Sequence, residues 1–338
     1  MLTTPAADTP AARAAVCRLG HSQSSADVAT AARLGYSHVL LPAMRLDMAP
    51  LLAAARTSGL AVLVDVVVDT ISATILHDPA PTLFVTARAA TLDPRHDPAD
   101  ADSALATLGD AADAERLADW WAPRIAALGA SGVAGVRLLG LDALPSFAVA
   151  PFLIRIRAGC PGMTLFAWTP GVAWGSLRQL PSGTVDLVAS SLPWWDGQAD
   201  WLWQELDILR RIAPVVVPQE GRAAALAPWL ADGWMADLAD GDNTLPALPA
   251  GVARPLTGPG QHVMALLRTD AADPRQAAGA TVVVANMDMD APASVDPAQV
   301  FAGAGSFGPW RPDGDGDAPD PAAPLVVAPG AVLTFTAP

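Results

Sequence analysis

The stretch Ala61-Val62-Leu63-Val64-Asp65-Val66-Val67-Val68 is almost continuously apolar and β-branched, with one carboxylate, Asp65, in its middle. A strand that is buried on both faces needs such a run, because helices cover both sides of a parallel sheet. The stretch therefore predicts a central strand of a parallel sheet. A second carboxylate, Asp69, comes directly after it.

Seven further short apolar runs recur over the first 240 residues, and helical patterns rich in Ala, Leu and Arg lie between most of them. The additional strand predictions are Ala15–Leu19, His38–Leu41, Val133–Leu139, Thr164–Trp168, Val185–Ser190, Pro214–Val217 and Trp234–Asp237. The helix predictions are Ser25–Leu34, Met48–Ser58, Ala114–Ala130, Ser146–Ala158, Ala173–Leu180, Trp201–Ile212 and Arg222–Ala231.

This alternation predicts parallel strands that are joined by crossover helices. The number of runs favours an α/β fold of the (β/α)8 TIM-barrel type, which we place at residues 1–240. A doubly wound open sheet is the alternative, because periodicity does not distinguish an open sheet from a closed one.

Two regions depart from the alternation. Residues 70–113 are long and rich in Pro, Asp and Ala, and we predict an irregular insertion above the carboxyl ends of the barrel strands. After Gly241 the helical signal ends, and residues 255–338 predict a small antiparallel β-sandwich domain. Its predicted strands are Gln261–Arg268, Ala280–Met287 and a closing hairpin of Leu325–Ala328 with Ala331–Thr336.

Composition excludes several classes of function. The 338 residues include 34 acidic and 20 basic side chains, for a net charge of −14. All the basic side chains are arginine, so a lysine Schiff base and a Walker-type phosphate lysine are excluded. The acidic balance also argues against nucleic acid as a partner. The chain carries 11 tryptophans but one tyrosine, Tyr36.

The cysteine spacing and the start of the chain indicate the cellular compartment. Cys17 and Cys160 are far apart and form no CxxC pair, as in a reducing compartment. The start of the chain has no leader pattern and no apolar run is long enough to span a membrane, so we expect a soluble, cytoplasmic protein without a membrane partner.

Two motifs that could indicate a cofactor or a metal are incomplete. Gly303–Gly308 matches the nucleotide-binding pattern GxGxxG, but no helix is predicted after it, and the histidines lack the spacing of metal ligands. We therefore expect no cofactor and no metal.

Polar and aromatic residues gather where the predicted strands end. The candidate substrate-binding residues are Asp65, Asp69, Arg137, Trp168, Trp194 and Trp195, and the candidate catalytic carboxylates are Asp196 and Glu220. Asp65 and Arg137 form either a structural pair under the barrel mouth or the remnant of a carboxylate site. The tryptophans are either core residues or an aromatic platform for sugar rings.

The strand-end segments resemble the α-amylase superfamily, glycoside hydrolase family 13. Within it, the chain is similar to maltosyltransferases that extend α-1,4-glucan from maltose 1-phosphate, and to proteins described as maltotransferase domain-containing. The resemblance rests on Ala32–Pro42, on Gly59–Thr70, on Gly135–Leu139 and on two C-terminal stretches, Ala280–Asp288 and Val327–Thr336. It implies the TIM barrel, the β-sandwich that follows it and an α-glucan substrate.

The resemblance also implies where catalytic carboxylates should lie. The nucleophile position, two residues after Arg137, is Leu139, and the general-acid position at the end of the fifth strand is Trp168. The first motif's Asn-His pair is Asp69-Thr70 in this sequence. The fourth motif's His-Asp pair corresponds to Gln219-Glu220. Leucine cannot form a glycosyl ester and tryptophan cannot protonate a leaving group.

Three hypotheses follow. The first is a catalytically degenerate, α-amylase-like barrel that binds an α-glucan or maltooligosaccharide, or acts as a regulatory pseudoenzyme. The second is an active glycoside hydrolase or maltosyltransferase with relocated carboxylates, drawn from Asp69, Asp142, Asp196, Glu220 and Asp242. The third is a structural partner of an active maltosyltransferase. We favour the first.

Overall fold

The computed structural model describes residues 14–22, 24–42, 48–72, 83–86, 103–196, 199–219, 226–238, 251–258, 261–271, 275, 277–304, 307–312 and 323–337. Its strands are β1 (Ala15–Arg18), β2 (His38–Leu41), β3 (Ala61–Val67), β4 (Thr70–Ser72), β5 (Phe84–Thr86), β6 (Ser103–Ala106), β7 (Gly135–Leu139), β8 (Thr164–Ala167), β9 (Leu187–Ala189), β10 (Val215–Pro218), β11 (Gly233–Asp237), β12 (Val252–Pro255), β13 (Val263–Thr269), β14 (Ala280–Asn286), β15 (Ala293–Val295), β16 (Arg311–Pro312), β17 (Leu325–Val327) and β18 (Val332–Ala337). Its helices are α1 (Ser25–Arg33), α2 (Ala49–Ser58), α3 (Ala111–Ala130), α4 (Ser146–Gly159), α5 (Trp174–Leu177), α6 (Trp201–Arg210), α7 (Ala227–Leu230) and α8 (Pro297–Gly303).

Eight parallel strands close into a barrel in the order β1-β11-β10-β9-β8-β7-β3-β2. Closure is made by β1, which pairs with β2 on one side and with β11 on the other. The TIM-barrel prediction is therefore confirmed, and the open doubly wound sheet is excluded. Strand tilt and closure leave an interior that side chains must fill.

The barrel interior is a small apolar cluster that is separate from the larger core outside the strands. Val16, Leu40, Leu63, Phe166 and Val216 are fully buried in it. Alternate residues of each strand point outward and pack against the helices, as Val39 and Val62 do. This alternation explains why residues two apart in β3 and β7 share the interior.

Local signals set the ends of the helices around the barrel. Ser24 and Asp27 form a capping box at the start of α1. The Asp110 carboxylate accepts a hydrogen bond from the Asp113 N–H at the start of α3, at 2.9 Å. Helix α2 ends at Gly59, which has a left-handed φ of 72°.

The segment after β3, predicted to be an irregular insertion, contains regular structure in its described part. Strands β4, β6 and β5 form a three-stranded antiparallel sheet in that order. Helix α3 then begins at Ala111, before the predicted end of the insertion. The runs that form these strands are only three or four residues long, too short for their alternation to be recognised.

The C-terminal strands form a five-stranded sheet, β12-β13-β14-β18-β16, and a two-stranded sheet, β15-β17. The predicted closing hairpin is wrong, because β17 pairs with β15 whereas β18 pairs with β14. A turn does form at Gly330, with φ 64°. The Asn286 side-chain amide donates to the Val327 and Ala328 carbonyl oxygens at 3.2 and 3.3 Å, which ties the end of β17 to the end of β14.

The C-terminal sheet packs directly on the barrel. One face of β13 and β14 contributes Leu266 and Val283 to the same core as the outer barrel residues. The nearly buried Arg268 donates a hydrogen bond from Nη1 to the Trp229 carbonyl oxygen, in α7. Within the described segments, no helix is both long and apolar enough to cross a lipid bilayer.

Candidate functional site

Asp65 and Arg137 form an ion pair inside the carboxyl end of the barrel. Strands β3 and β7 are neighbours, and their register places Asp65 beside Arg137. The guanidinium donates from Nε to Oδ1 at 2.6 Å and from Nη2 to Oδ2 at 2.9 Å. Its third nitrogen, Nη1, lies 3.4 Å from Met235 Sδ. Both charges are therefore neutralised in a bidentate pair.

A cavity of about 360 Å³ opens above this pair. It is lined by Asp142, Trp168, Pro170, Gly171, Ser191 and Trp194. The Arg137 guanidinium carbon lies 5.0 Å from the Trp168 ring centre, within cation–π range. Active sites of TIM barrels lie at this end of the strands, so the cavity is the candidate functional site.

The two tryptophans make an aromatic corner at the cavity. Trp168 directly follows β8 and is half-buried, whereas Trp194 is 62% exposed. Their ring centres are 6.4 Å apart and their planes meet at 82°. An exposed indole face beside a carboxylate offers an apolar surface and a hydrogen-bond acceptor, which suits a sugar ring.

A buried carboxylate holds the turn that carries Trp194. The chain after β9 forms a 3-10 turn at Leu192–Trp194. Glu205, which is 4% exposed in α6, accepts hydrogen bonds from Ser190 Oγ and from the Ser191 N–H, both at 2.9 Å. The Ser190 hydroxyl in turn accepts from the Leu192 N–H at 3.2 Å. This network was not predicted from the sequence.

Asp69 lies behind the cavity, next to the loop after β7. Its Oδ2 accepts a hydrogen bond from Thr70 Oγ1 at 3.0 Å. Its carboxylate occupies the space a side chain at Gly140 would need, and Gly140 has φ 78°. Burial raises the pKa of Asp69, and the charge of Asp142 raises it further. The two carboxylates are therefore close enough to interact.

Leu139 and Trp168 occupy the two positions where the family resemblance places catalytic carboxylates. Leu139 follows Arg137 by two residues in β7, so it lies on the same face of the strand. Neither side chain can ionise. At these positions the barrel end offers an apolar and an aromatic surface instead of two facing carboxyl groups.

Two of the other predicted site residues do not line the cavity. Trp195 is only 3% exposed, and its Nε1 donates to the Ala199 carbonyl oxygen at 2.7 Å. Asp196 is exposed and accepts from the Ala199 N–H at 2.9 Å, which stabilises the turn. Glu220 lies outside the described residues. The segment that ends at Trp194 is a 3-10 turn.

A second arginine–aspartate pair at the same end of the barrel was missed. Arg18 and Asp237 are register partners on β1 and β11. Arg18 Nη2 donates to Asp237 Oδ2 at 2.8 Å, and this contact lowers the pKa of Asp237. Their positions at the ends of predicted strands were the sequence signal for this pair. The two residues become neighbours only when the barrel closes.

A larger cavity, of about 800 Å³, lies at the amino ends of the strands. It borders His38, Asp186, Arg210 and Asp232. Arg157 binds the Asp186 carboxylate, and the Asp232 carboxylate accepts from the Val215 N–H at 3.1 Å. These side chains therefore have structural roles. Among the residues that the structure describes, no cluster of three or more metal-ligating side chains is found.

Comparison with known proteins supports the predicted resemblance. The chain is 35% identical over 184 residues to the alpha-1,4-glucan:maltose-1-phosphate maltosyltransferase of Burkholderia pseudomallei. The match covers 53% of this chain but only 16% of that enzyme's length. No protein-family model matches the chain.

Solved structures share the fold over nearly the whole chain. A family GH13_31 enzyme superposes with a TM-score of 0.61 at 9% identity, covering 96% of this chain and 98% of the other. A maltogenic alpha-amylase from Thermotoga neapolitana has a TM-score of 0.58 at 11% identity, with 96% and 98% coverage. An alpha-amylase from Geobacillus thermoleovorans, solved with acarbose, has a TM-score of 0.54 at 12% identity, with 92% and 90% coverage. The expected resemblance is thereby confirmed: the chain has the fold of the α-amylase-type barrels and resembles a maltosyltransferase over about half of its length.

Proposed function

We propose that this protein binds an α-glucan or a maltooligosaccharide at the carboxyl end of its barrel and does not cleave it. The observation that carries the proposal is the aromatic corner of Trp168 and Trp194 over a cavity bordered by Asp142. Indole faces pack against the apolar faces of sugar rings, and a carboxylate accepts hydrogen bonds from their hydroxyl groups.

The absence of catalysis is inferred from three side chains. Leu139 and Trp168 stand where the resemblance to α-amylases expects the nucleophile and the general acid. Both carboxylate oxygens of Asp65 accept hydrogen bonds from Arg137, so this carboxylate has a structural role at the barrel mouth. Retaining glycosidases need two carboxyl groups about 5–5.5 Å apart across the bond that is cut. The relative's name, which specifies α-1,4-glucan, supports the choice of ligand.

The binding test is a calorimetric titration of the protein with maltohexaose. Replacing Trp194 by alanine removes an exposed indole whose ring borders the cavity. Stacking of one aromatic ring on a ligand is worth about 1 kcal/mol, so we expect affinity to fall about fivefold to tenfold. Trp194 packs little surface into the core, so the melting temperature should change little.

The matched control is Ile154→Ala, which removes an exposed apolar side chain from α4, outside the cavity. Its affinity for maltohexaose should equal that of the unmodified protein. If the unmodified protein binds no α-glucan, or if both variants lose affinity equally, glucan binding at this cavity is refuted.

A second candidate function is a glycoside hydrolase or maltosyltransferase that uses relocated carboxylates. The raised pKa of Asp69 and its interaction with Asp142 favour this alternative, because a general acid needs a pKa above its ordinary value. Turnover of maltose 1-phosphate or maltohexaose by the unmodified protein, lost in Asp69→Asn and Asp142→Asn, would establish it. Absence of turnover alongside measurable binding supports the first proposal.

A further inference from the structure

The charge around the cavity bears on which ligand it accepts. Asp142 is the one charged side chain among the described residues that line it. Its carboxylate is exposed, and no hydrogen bond or ion pair to another described residue engages it. Among the residues that the structure describes, the cavity wall therefore carries one negative charge, beside the two indole rings.

No arginine in the described part of the cavity wall offsets this charge. Arg137, whose guanidinium carbon lies 5.0 Å from the centre of the Trp168 ring, is 7% exposed. Two of its nitrogens bind Asp65 and the third contacts Met235. The pair uses two of the five guanidinium N–H donors, and the low exposure of the side chain leaves little of the guanidinium open to a ligand anion.

Asp69 adds a second carboxylate on the same side. It lies against Gly140, between the end of β3 and the loop that carries Asp142. The charge of Asp142 raises the pKa of Asp69, so the field of one carboxylate reaches the other. Of the described charged side chains, Asp142 is therefore the one that an anion in the cavity would contact, and Asp69 lies behind it.

We propose that the cavity selects the uncharged end of an α-glucan and rejects a sugar phosphate, and that Asp142 sets this selectivity. The inference rests on the proposed function and specifies its ligand. A phosphate monoester carries about −1.5 to −2 charges at neutral pH and requires cationic or N–H donors. A carboxylate accepts hydrogen bonds from sugar hydroxyls but repels phosphate oxygens. The related maltosyltransferase, by contrast, has maltose 1-phosphate in its name.

The test compares two ligands that differ only in the phosphate group, maltose and maltose 1-phosphate, by calorimetric titration. Maltose should bind at least about tenfold more tightly at about 20 mM salt, because a nearby carboxylate repels the phosphate at low ionic strength. The ratio should shrink at about 500 mM salt, where charges are screened over a few ångströms. Maltohexaose serves in parallel as the check of glucan binding.

The variant Asp142→Asn keeps the shape of the side chain and removes its charge. It should reduce the preference for maltose over maltose 1-phosphate several-fold, whatever happens to the two affinities themselves. Asp207→Asn is the matched control, because it removes the same charge from an exposed carboxylate on α6 that pairs with Arg211. This control should leave the ratio unchanged.

The outcomes separate the two proposals. If maltohexaose does not bind, the proposed function fails. If maltohexaose binds but maltose 1-phosphate binds as tightly as maltose or more tightly, the selectivity is refuted while glucan binding stands. An equal change of the ratio in Asp142→Asn and Asp207→Asn would assign the selectivity to the overall charge of −14 and overturn the role of Asp142.

Discussion

At the level of single residues, Asp65 and Arg137 neutralise each other while almost buried beneath the cavity. Their side chains are 12% and 7% exposed, and two hydrogen bonds join them. Their sequence positions are compatible with either a structural pair or the remnant of a site. The bidentate geometry favours the structural role, because it uses both carboxylate oxygens.

We expect Arg137→Leu to destabilise the protein by about 3–5 kcal/mol, because Asp65 would stay charged without a partner in a nearly buried position. The double variant Asp65→Leu/Arg137→Leu should lose less free energy of unfolding than Arg137→Leu alone. Urea denaturation followed by circular dichroism measures both. If the double variant loses the sum of the losses measured for Asp65→Leu alone and Arg137→Leu alone, the side chains are not energetically coupled.

At the level of elements, α6 holds the turn that places Trp194 at the cavity. Leu202, Leu206 and Leu209 form the buried stripe of this helix, and Glu205 lies on the same stripe. An acidic residue in an apolar stripe at helical spacing is the signal that sequence analysis could have used. Its two hydrogen bonds to the chain after β9 explain why a carboxylate is tolerated there.

Glu205→Ala leaves the Ser190 hydroxyl and the Ser191 N–H without their acceptor, which should cost about 1–3 kcal/mol of stability. The Trp194 turn should also loosen, which near-ultraviolet circular dichroism would report, and affinity for maltohexaose should fall. Glu205→Gln retains an acceptor oxygen and should recover most of the affinity. The neighbouring exposed Gln204→Ala is the control; an effect of equal size there would remove the specific role of Glu205.

At the level of the whole molecule, the barrel and the C-terminal sheet share one core. Consecutive residues of β13 divide between two cores, because side chains alternate along a strand. Leu266 packs with the outer barrel residues, whereas Leu267 packs within the C-terminal cluster. Together with the hydrogen bond from Arg268 to Trp229, this arrangement predicts that the two regions unfold together.

Leu266→Ala should cost about 2–5 kcal/mol and lower the midpoint of a single unfolding transition. Tryptophan fluorescence, which comes mostly from the barrel, and far-ultraviolet circular dichroism should give coincident curves. The same measurements on Leu267→Ala give, for comparison, the contribution of the core within the C-terminal sheet. A barrel transition that stays unchanged in Leu266→Ala while the sheet unfolds separately would contradict the shared core.

The sequence by itself predicted the eight barrel strands and favoured the barrel over an open sheet, because the period of apolar residues records which faces of a strand or helix are buried. It also placed Asp65, Arg137, Trp168 and Trp194 within or after predicted barrel strands, and parallel strands bring their carboxyl ends together. Only the tertiary structure decided which residues meet across large separations. The Arg18–Asp237 pair requires barrel closure, Asn286 ties the end of β17 to β14, and the 3-10 turn exposes Trp194 while burying Trp195. These contacts depend on distances between segments far apart in the chain, which no local pattern encodes.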